Sequence, residues 1–186
     1  MLDVGANIGY FSLVAAQSIG PYGHVYAFEP DPYNRAVLAR NTRANVVGAR
    51  IEVVPMAVSR MSGPIELHVN TEESGMLTSL YAGAMAVRGG NWETVHVEAT
   101  TLDAWAAARD WPAIHVMKLD IEGAELDALA GACEVLRRNP GVVLIVELAI
   151  PSLTATGVTP ESFLAALRAA GFTAYPESRR AWRSLR

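Results

Sequence analysis

The chain has 186 residues, 51% of them hydrophobic, and a formal net charge of -4. That length and apolar content suit one buried core, so a single domain over 1–186 is expected, with 176–186 as a tail. The acidic balance and the absence of a dense Lys/Arg block argue against a nucleic-acid partner, and no apolar run is long enough for a bilayer span or a signal peptide, so a cytoplasmic protein with no membrane partner is expected.

In chain order, DVGANIGYFSL (Asp3 to Leu13) reads as a short strand, a glycine-kinked turn and a helix that runs from Tyr10 to Ser18 and stops at Gly20 and Pro21. A strand follows at His24 to Glu29, and Asp31 with Pro32 supplies a capping side chain and a first-turn proline for the next helix. Ile51 to Pro55 completes a β-α-β-α-β series, the pattern of a parallel sheet with helices on its faces. From Ala57 to Leu102 the rhythm breaks into added strands, AVS, IELHV and VHVEATTL, around a stretch expected to be irregular from Asn70 to Trp92. Alternation then resumes. A helix at Asp103 to Arg109 leads to a strand at His115 to Asp120. A helix from Ala124 to Arg137 follows, with Leu126, Leu129, Cys133 and Leu136 on one face. Val142 to Leu148 reads as a central strand covered on both sides, Thr159 and Pro160 open the last helix, and a final strand is plausible at Phe172 to Tyr175.

In open parallel sheets ligands bind where strands give way to loops at their carboxyl ends. Those places here are Asp3 to Gly9, Glu29 and Pro30, Ala57 to Ser59, Asp120 to Glu125, and Glu147. Four of the five carry a carboxylate, more than a purely structural edge has reason to collect. Glu29 lies about 20 residues beyond Gly9, the spacing from which an acid can accept both hydroxyls of a ribose. A dinucleotide turn G-x-G-x-x-G would need glycines at 5, 7 and 10, but Asn7 and Tyr10 stand at the last two places. The chain therefore carries a nucleoside-type cradle without the pyrophosphate turn of a nucleotide-dependent oxidoreductase, which leaves that activity a distant alternative.

Several of these stretches, D-V-G-A-N-I-G-Y at 3–10, F-E-P at 28–30, A-V-S at 57–59, T-L-D at 101–103, K-L-D-I-E-G-A-E at 118–125 and V-E at 146–147, resemble in order and spacing the FkbM family of S-adenosylmethionine-dependent methyltransferases. The resemblance implies an α/β class I methyltransferase fold, a Rossmann-like three-layer sandwich with a mostly parallel sheet. It also implies O-methylation of a hydroxyl on a small-molecule acceptor such as a sugar or polyketide. Asp3, Gly5, Ala6, Asn7, Gly9 and Tyr10 would hold the methionine end of the cofactor, Glu29 and Pro30 the ribose side, and Ala57 and Val58 the adenine. Asp120 would stand beside the transferable methyl.

Methyl transfer from a sulfonium needs alignment with a hydroxyl and somewhere for its proton to go. Asp120 and Glu122 are the candidates to orient or deprotonate the hydroxyl, with Lys118 biasing their charge. The alternative is that Asp120 touches cofactor, Lys118 braces the acids and Glu125 pairs locally. Asp120, Glu122, Glu125 and Glu147 would be hard donors for a divalent cation, but Glu122 and Glu125 straddle a strand-to-helix turn, so a metal is possible and not expected.

Cys133 and the histidines His24, His68, His96 and His115 are expected to be buried packing residues. In S-G-M-L-T-S-L, Ser74 to Leu80, Ser79 and its neighbours are expected near the cofactor or acceptor, while Tyr81 and Trp92 are equally an acceptor wall or packing anchors. Met1 and Leu2 alone precede Asp3, so the family's N-terminal lid is expected to be absent, and Pro176 with the basic run after it favours a tail over a last strand. That truncation motivates two further expectations, a homodimer covering the apolar edge and, as the alternative function, a cofactor-binding but noncatalytic remnant.

Overall fold

The computed structural model describes residues 1–72 and 78–175. Its main sheet is parallel and five-stranded, in the order β3-β2-β1-β8-β9. The strands are β1 (Leu2–Val4), β2 (Val25–Phe28), β3 (Ile51–Val54), β8 (Val116–Leu119) and β9 (Val143–Val146). Strand register sorts the side chains into two faces. Leu2, Val4, Phe28, Val54, Met117 and Leu119 join the larger core, while Ala27 packs with Ala6 and Leu38 in a smaller one.

The smaller core is covered by α1 (Tyr10–Ser18) and α2 (Pro32–Arg43), with a 3-10 turn at Val46–Arg50 leading into β3. The larger core is covered by α4 (Leu102–Ala107), α5 (Glu125–Ala130), α6 (Cys133–Arg138), α7 (Ile150–Ala155) and α8 (Pro160–Ala169), whose Trp105, Ala128, Val135, Leu153 and Phe163 it includes. Helix starts follow local chemistry. The Asp31 carboxylate accepts the Asn34 N–H at 2.7 Å, Thr101 Oγ1 accepts that of Ala104 at 2.9 Å, and Thr159 forms a capping box with Ser162.

The middle of the chain builds a second sheet, β4-β7-β5-β6, from β4 (Ala57–Val58), β5 (Gly63–Asn70), β6 (Thr78–Ser79) and β7 (Trp92–Thr100). β5 and β7 pair antiparallel over their whole length. The stretch expected to be irregular from Asn70 to Trp92 thus holds β6 and the short α3 (Gly83–Arg88) among its described residues. The part of the Ser74 to Leu80 stretch at 74–77, and the expected tail at 176–186, lie outside the described residues.

Five expectations are corrected. β9 is an edge strand, not a central one, and Val143 and Ile145 on its α1 side are 56% and 53% exposed. The helix expected over 124–137 is two helices, parted at Gly131, which backs directly onto the Ser59 carbonyl where a Cβ would not fit. The chain restarts as α6 with the Asp103 carboxylate accepting the Glu134 and Val135 N–H groups at 3.0 and 2.8 Å. That restart turns Cys133 to solvent and Val135 into the core. Of the histidines only His68 is buried, since His24 and His115 stand just before strands and His96 faces outward on β7. Phe172 to Tyr175 form no strand.

Asp103 thus ties α4 to α6 across 30 residues of chain. Asp103→Ala should lower unfolding stability by about 1 to 2 kcal/mol, the range for losing an N-terminal cap. Urea denaturation with an unchanged midpoint would reject this role.

Candidate functional site

The carboxyl ends of β1, β2 and β8 open into a cleft whose far wall comes from the second sheet. Gly5, Asn7, Glu29, Pro30, Ala57, Val58, Asp120 and Glu122 all line it. Of the other candidates, Asp3, Ala6, Gly9, Tyr10 and Lys118 stand outside its lining. Asp3 and Lys118 are buried behind it, Ala6 packs in the smaller core, Gly9 fits against Leu38, and Tyr10 is 67% exposed on α1.

The glycine turn is shaped by close approach. Gly5 has φ +79°, and a Cβ there would overlap the Asp120 carbonyl oxygen. Asn7 is also left-handed, at φ 50°, a conformation asparagine tolerates. Its N–H donates to Glu29 Oε2 at 2.7 Å, while the Asp31 N–H donates to Oε1 at 2.9 Å. One buried carboxylate therefore clamps the first turn to the start of α2. Burial pushes the Glu29 carboxyl up to about 7, against the N–H bonds that hold it down.

Behind the turn, Lys118 Nζ lies 3.4 Å from Asp3 Oδ1 and 3.1 Å from Asp120 Oδ2, donates to the Gly5 carbonyl at 3.2 Å, and sits over the Phe11 ring. Asp3 also accepts a 2.5 Å hydrogen bond from Ser12 Oγ, and its burial raises its pKa. Both side chains serve the architecture of the cleft from behind.

The K-L-D-I-E-G-A-E stretch turns sharply after Asp120, with Glu122 at φ 51° and Gly123 at φ 102°. Glu125 folds back into this turn and accepts the N–H groups of Ile121 and Gly123. Its pKa is raised by burial, and it acts as the turn's brace. Glu122 accepts a 2.5 Å hydrogen bond from Ser152 Oγ, and its carbonyl accepts one from Ser79 Oγ at 3.1 Å. Ser79 lines the cleft. Tyr81 and Arg60 both donate to the Asp127 carboxylate, and Trp92 Nε1 donates to the Gly89 carbonyl, so Tyr81 and Trp92 are anchors outside the lining. Among the described residues, no group of three or more His, Cys, Asp or Glu side chains is arranged to hold a metal ion.

The cleft is also lined by Thr78 and Leu80, the neighbours of Ser79, while the sequence reading missed Met56 and Leu67 and gave Phe28 and Ile121 no role of their own. Phe28 and Ile121 belong to the quoted motifs and Met56 adjoins A-V-S, which was the available signal. Leu67 reaches the cleft only through the pairing of the second sheet. The pairing of Glu147 with Asp120 was also missed. The adjoining Asp120 carboxyl pushes the Glu147 carboxyl up to about 7.

Residues 3–173 match the model of the methyltransferase FkbM domain. The chain belongs to the FkbM methyltransferase family. Among curated relatives, the methyltransferase sdnD of Sordaria araneosa is 30% identical over 72% of this chain and 60% of its own length. The 2-O-methyltransferase NoeI of Sinorhizobium fredii is 28% identical over 75% of this chain and 59% of its own. The chain thus spans about three-fifths of the curated relatives it matches. In fold, it is similar to the crystal structure of a methyltransferase FkbM from Methylobacillus flagellatus, with TM-score 0.52 and 22% identity over 87% of this chain and 37% of the other. The architecture is a class I methyltransferase fold, and the second sheet is built by the added strands expected between Ala57 and Leu102. Among the described residues, no helix is long and apolar enough to cross a membrane.

The Glu29 clamp carries a pH signature. The native state keeps the Glu29 proton up to about 7, whereas the unfolded chain releases it near 4.5. Glu29 therefore makes stability fall as pH rises between those values, with its full contribution present below the lower one. In Glu29→Gln the fall across this window should be smaller by on the order of 3 kcal/mol. Denaturation curves at pH 4, 6 and 8 measure it, and identical pH dependence in both proteins would refute the burial of an ionisable Glu29.

Proposed function

We propose that this protein is an S-adenosylmethionine-dependent O-methyltransferase that methylates a hydroxyl of a small molecule such as a sugar, polyketide or other natural product. The observation that carries the reading is the junction of the glycine turn and Glu29 through the Asn7 N–H, at the carboxyl edge of a parallel sheet. Gly5 leaves room where a side chain would collide, and Glu29 offers two oxygens to adjacent ribose hydroxyls. The Ala57 and Val58 walls give a purine an apolar seat. The cofactor, when bound, supplies a methyl group on a positively charged sulfur. The chain's own work is to hold that donor in line with the acceptor oxygen, exclude water with its apolar lining, and receive the hydroxyl proton among the acids at Asp120. The name of the 2-O-methyltransferase relative supports oxygen as the target atom.

Hydroxyl donors bind the ionised Glu29. Affinity for S-adenosylhomocysteine should therefore rise between pH 6 and 8, by up to about tenfold per unit below the Glu29 titration. Glu29→Ala should weaken binding by about 1 to 3 kcal/mol, the range for hydrogen bonds to a charged group. Calorimetric titration tests both effects, and absence of binding at millimolar ligand would sink the reading. A mass-spectrometric screen for a gain of one methyl group identifies the acceptor. Binding without turnover across glycosides, polyols and polyketides would favour a noncatalytic cofactor-binding module.

A further inference from the structure

The parallel pairing of β8 and β9 has a chemical outcome at its end. The register sets Leu119 beside Val146, and the Glu147 N–H continues the ladder by donating to the Leu119 carbonyl at 3.2 Å. Asp120 and Glu147 are the next residues on each strand, so they stand side by side at the carboxyl edge. The Asp120 carboxyl is the main influence on Glu147 and raises its pKa to about 7. Two carboxylates side by side disfavour joint ionisation, so the pair favours holding one proton between them.

The pair sits at the rim of the cleft. Asp120 lines it with a side chain 31% exposed, and Glu147 lies one strand further out, open to solvent. The groups that face the pair are Lys118 on β8, Glu122 on the following turn, and Asp3 on β1 behind Lys118. Lys118 divides its charge between Asp3 and Asp120, so it does not neutralise both members of the pair.

We infer that Asp120 and Glu147 act as one catalytic unit that binds the acceptor hydroxyl, takes its proton during methyl transfer, and holds that proton between the two carboxyl groups. This deepens the proposed methyl transfer and rests on it. The acceptor oxygen bonds to the methyl carbon as the carbon–sulfur bond breaks and its electron pair stays on sulfur. The hydroxyl proton passes to the doubly ionised pair, which becomes the singly protonated, internally hydrogen-bonded form. Formation of that hydrogen bond makes the pair a stronger base than either acid alone, suited to work near neutral pH. The charge of the ionised pair, with Glu122 beside it, selects neutral hydroxyl compounds over phosphorylated or carboxylated ones.

Carboxyl carbon NMR of the apo protein, labelled at Asp and Glu, tests the pair without any ligand. Asp120 and Glu147 signals should both follow the same two pH steps, the upper one near neutrality, and Glu147→Gln should abolish the upper step at Asp120. Two independent, ordinary carboxylate titrations would overturn the proposal. The second test is methylation of a panel of methyl glycosides and alditols, read by mass. Wild-type turnover should rise about tenfold per pH unit below the upper step and then level.

Glu147→Gln, folded by circular dichroism and still binding S-adenosylhomocysteine, should lose the step and at least about 100-fold in rate. A Glu147→Gln enzyme with wild-type rate and profile would overturn the role. Methylation confined to sugar phosphates or hydroxy acids, or no product across the panel, would also count against it. Failure to bind S-adenosylhomocysteine would instead remove the parent reading, while the two-step titration stands or falls on its own.

Discussion

The buried ammonium of Lys118 is the contact on which the carboxyl edge of this sheet depends. It joins Asp3 on β1, Asp120 at the end of β8, the carbonyl of Gly5 and the ring of Phe11 on α1. A buried charge is tolerable only when paired and hydrogen-bonded, and Asp3 has no exposure to solvent through which it might be neutralised otherwise. The pairing therefore fixes how closely the glycine turn sits against the end of β8. That spacing is so tight that Gly5 has no room for a side chain.

Around this centre the acids divide their work. Glu29 joins two loops by accepting from both, Glu125 braces a left-handed turn, and Asp103 starts a helix. Asp127 holds Arg60 and Tyr81. Each satisfies backbone or side-chain donors that would otherwise be left bare. Asp120 and Glu147 differ because they pair with each other at an open rim, a like-charged arrangement that a structural role does not need. The concentration of carboxylates along one sheet edge thus has one origin in folding and, in the proposed mechanism, a second in chemistry.

Much of this was legible in the sequence because local chemistry announced it. Asp31-Pro32 and Thr159-Pro160 mark helix starts, and the strand ends bearing Gly5, Glu29 and Asp120 converge as a parallel sheet requires. What escaped was set by neighbours distant in sequence. The helices part at Gly131, which lies against the Ser59 carbonyl from a distant loop, and Cys133 faces outward beyond the break. The apolar run of β9 looks central by composition, yet its place in the strand order makes it an edge. Asp3 read as a ligand contact because it opens the motif, but strand alternation turns it toward Ser12, under α1. Short helices such as α3 and α7 carry too few residues for periodicity to reveal them.

The cleft takes one wall from the parallel sheet and the other from the second sheet, through Leu67, Thr78 and Ser79. Between those walls run side-chain and backbone ties, among them Ser79 to the Glu122 carbonyl and Tyr81 to Asp127. Any molecule filling the cleft is then a non-covalent cross-link between two separately hydrogen-bonded sheets. Occupancy stabilises their joined state by mass action. The added middle strands are in this sense part of the binding site's cohesion, and a small ligand would help hold together a larger piece of the fold than it touches.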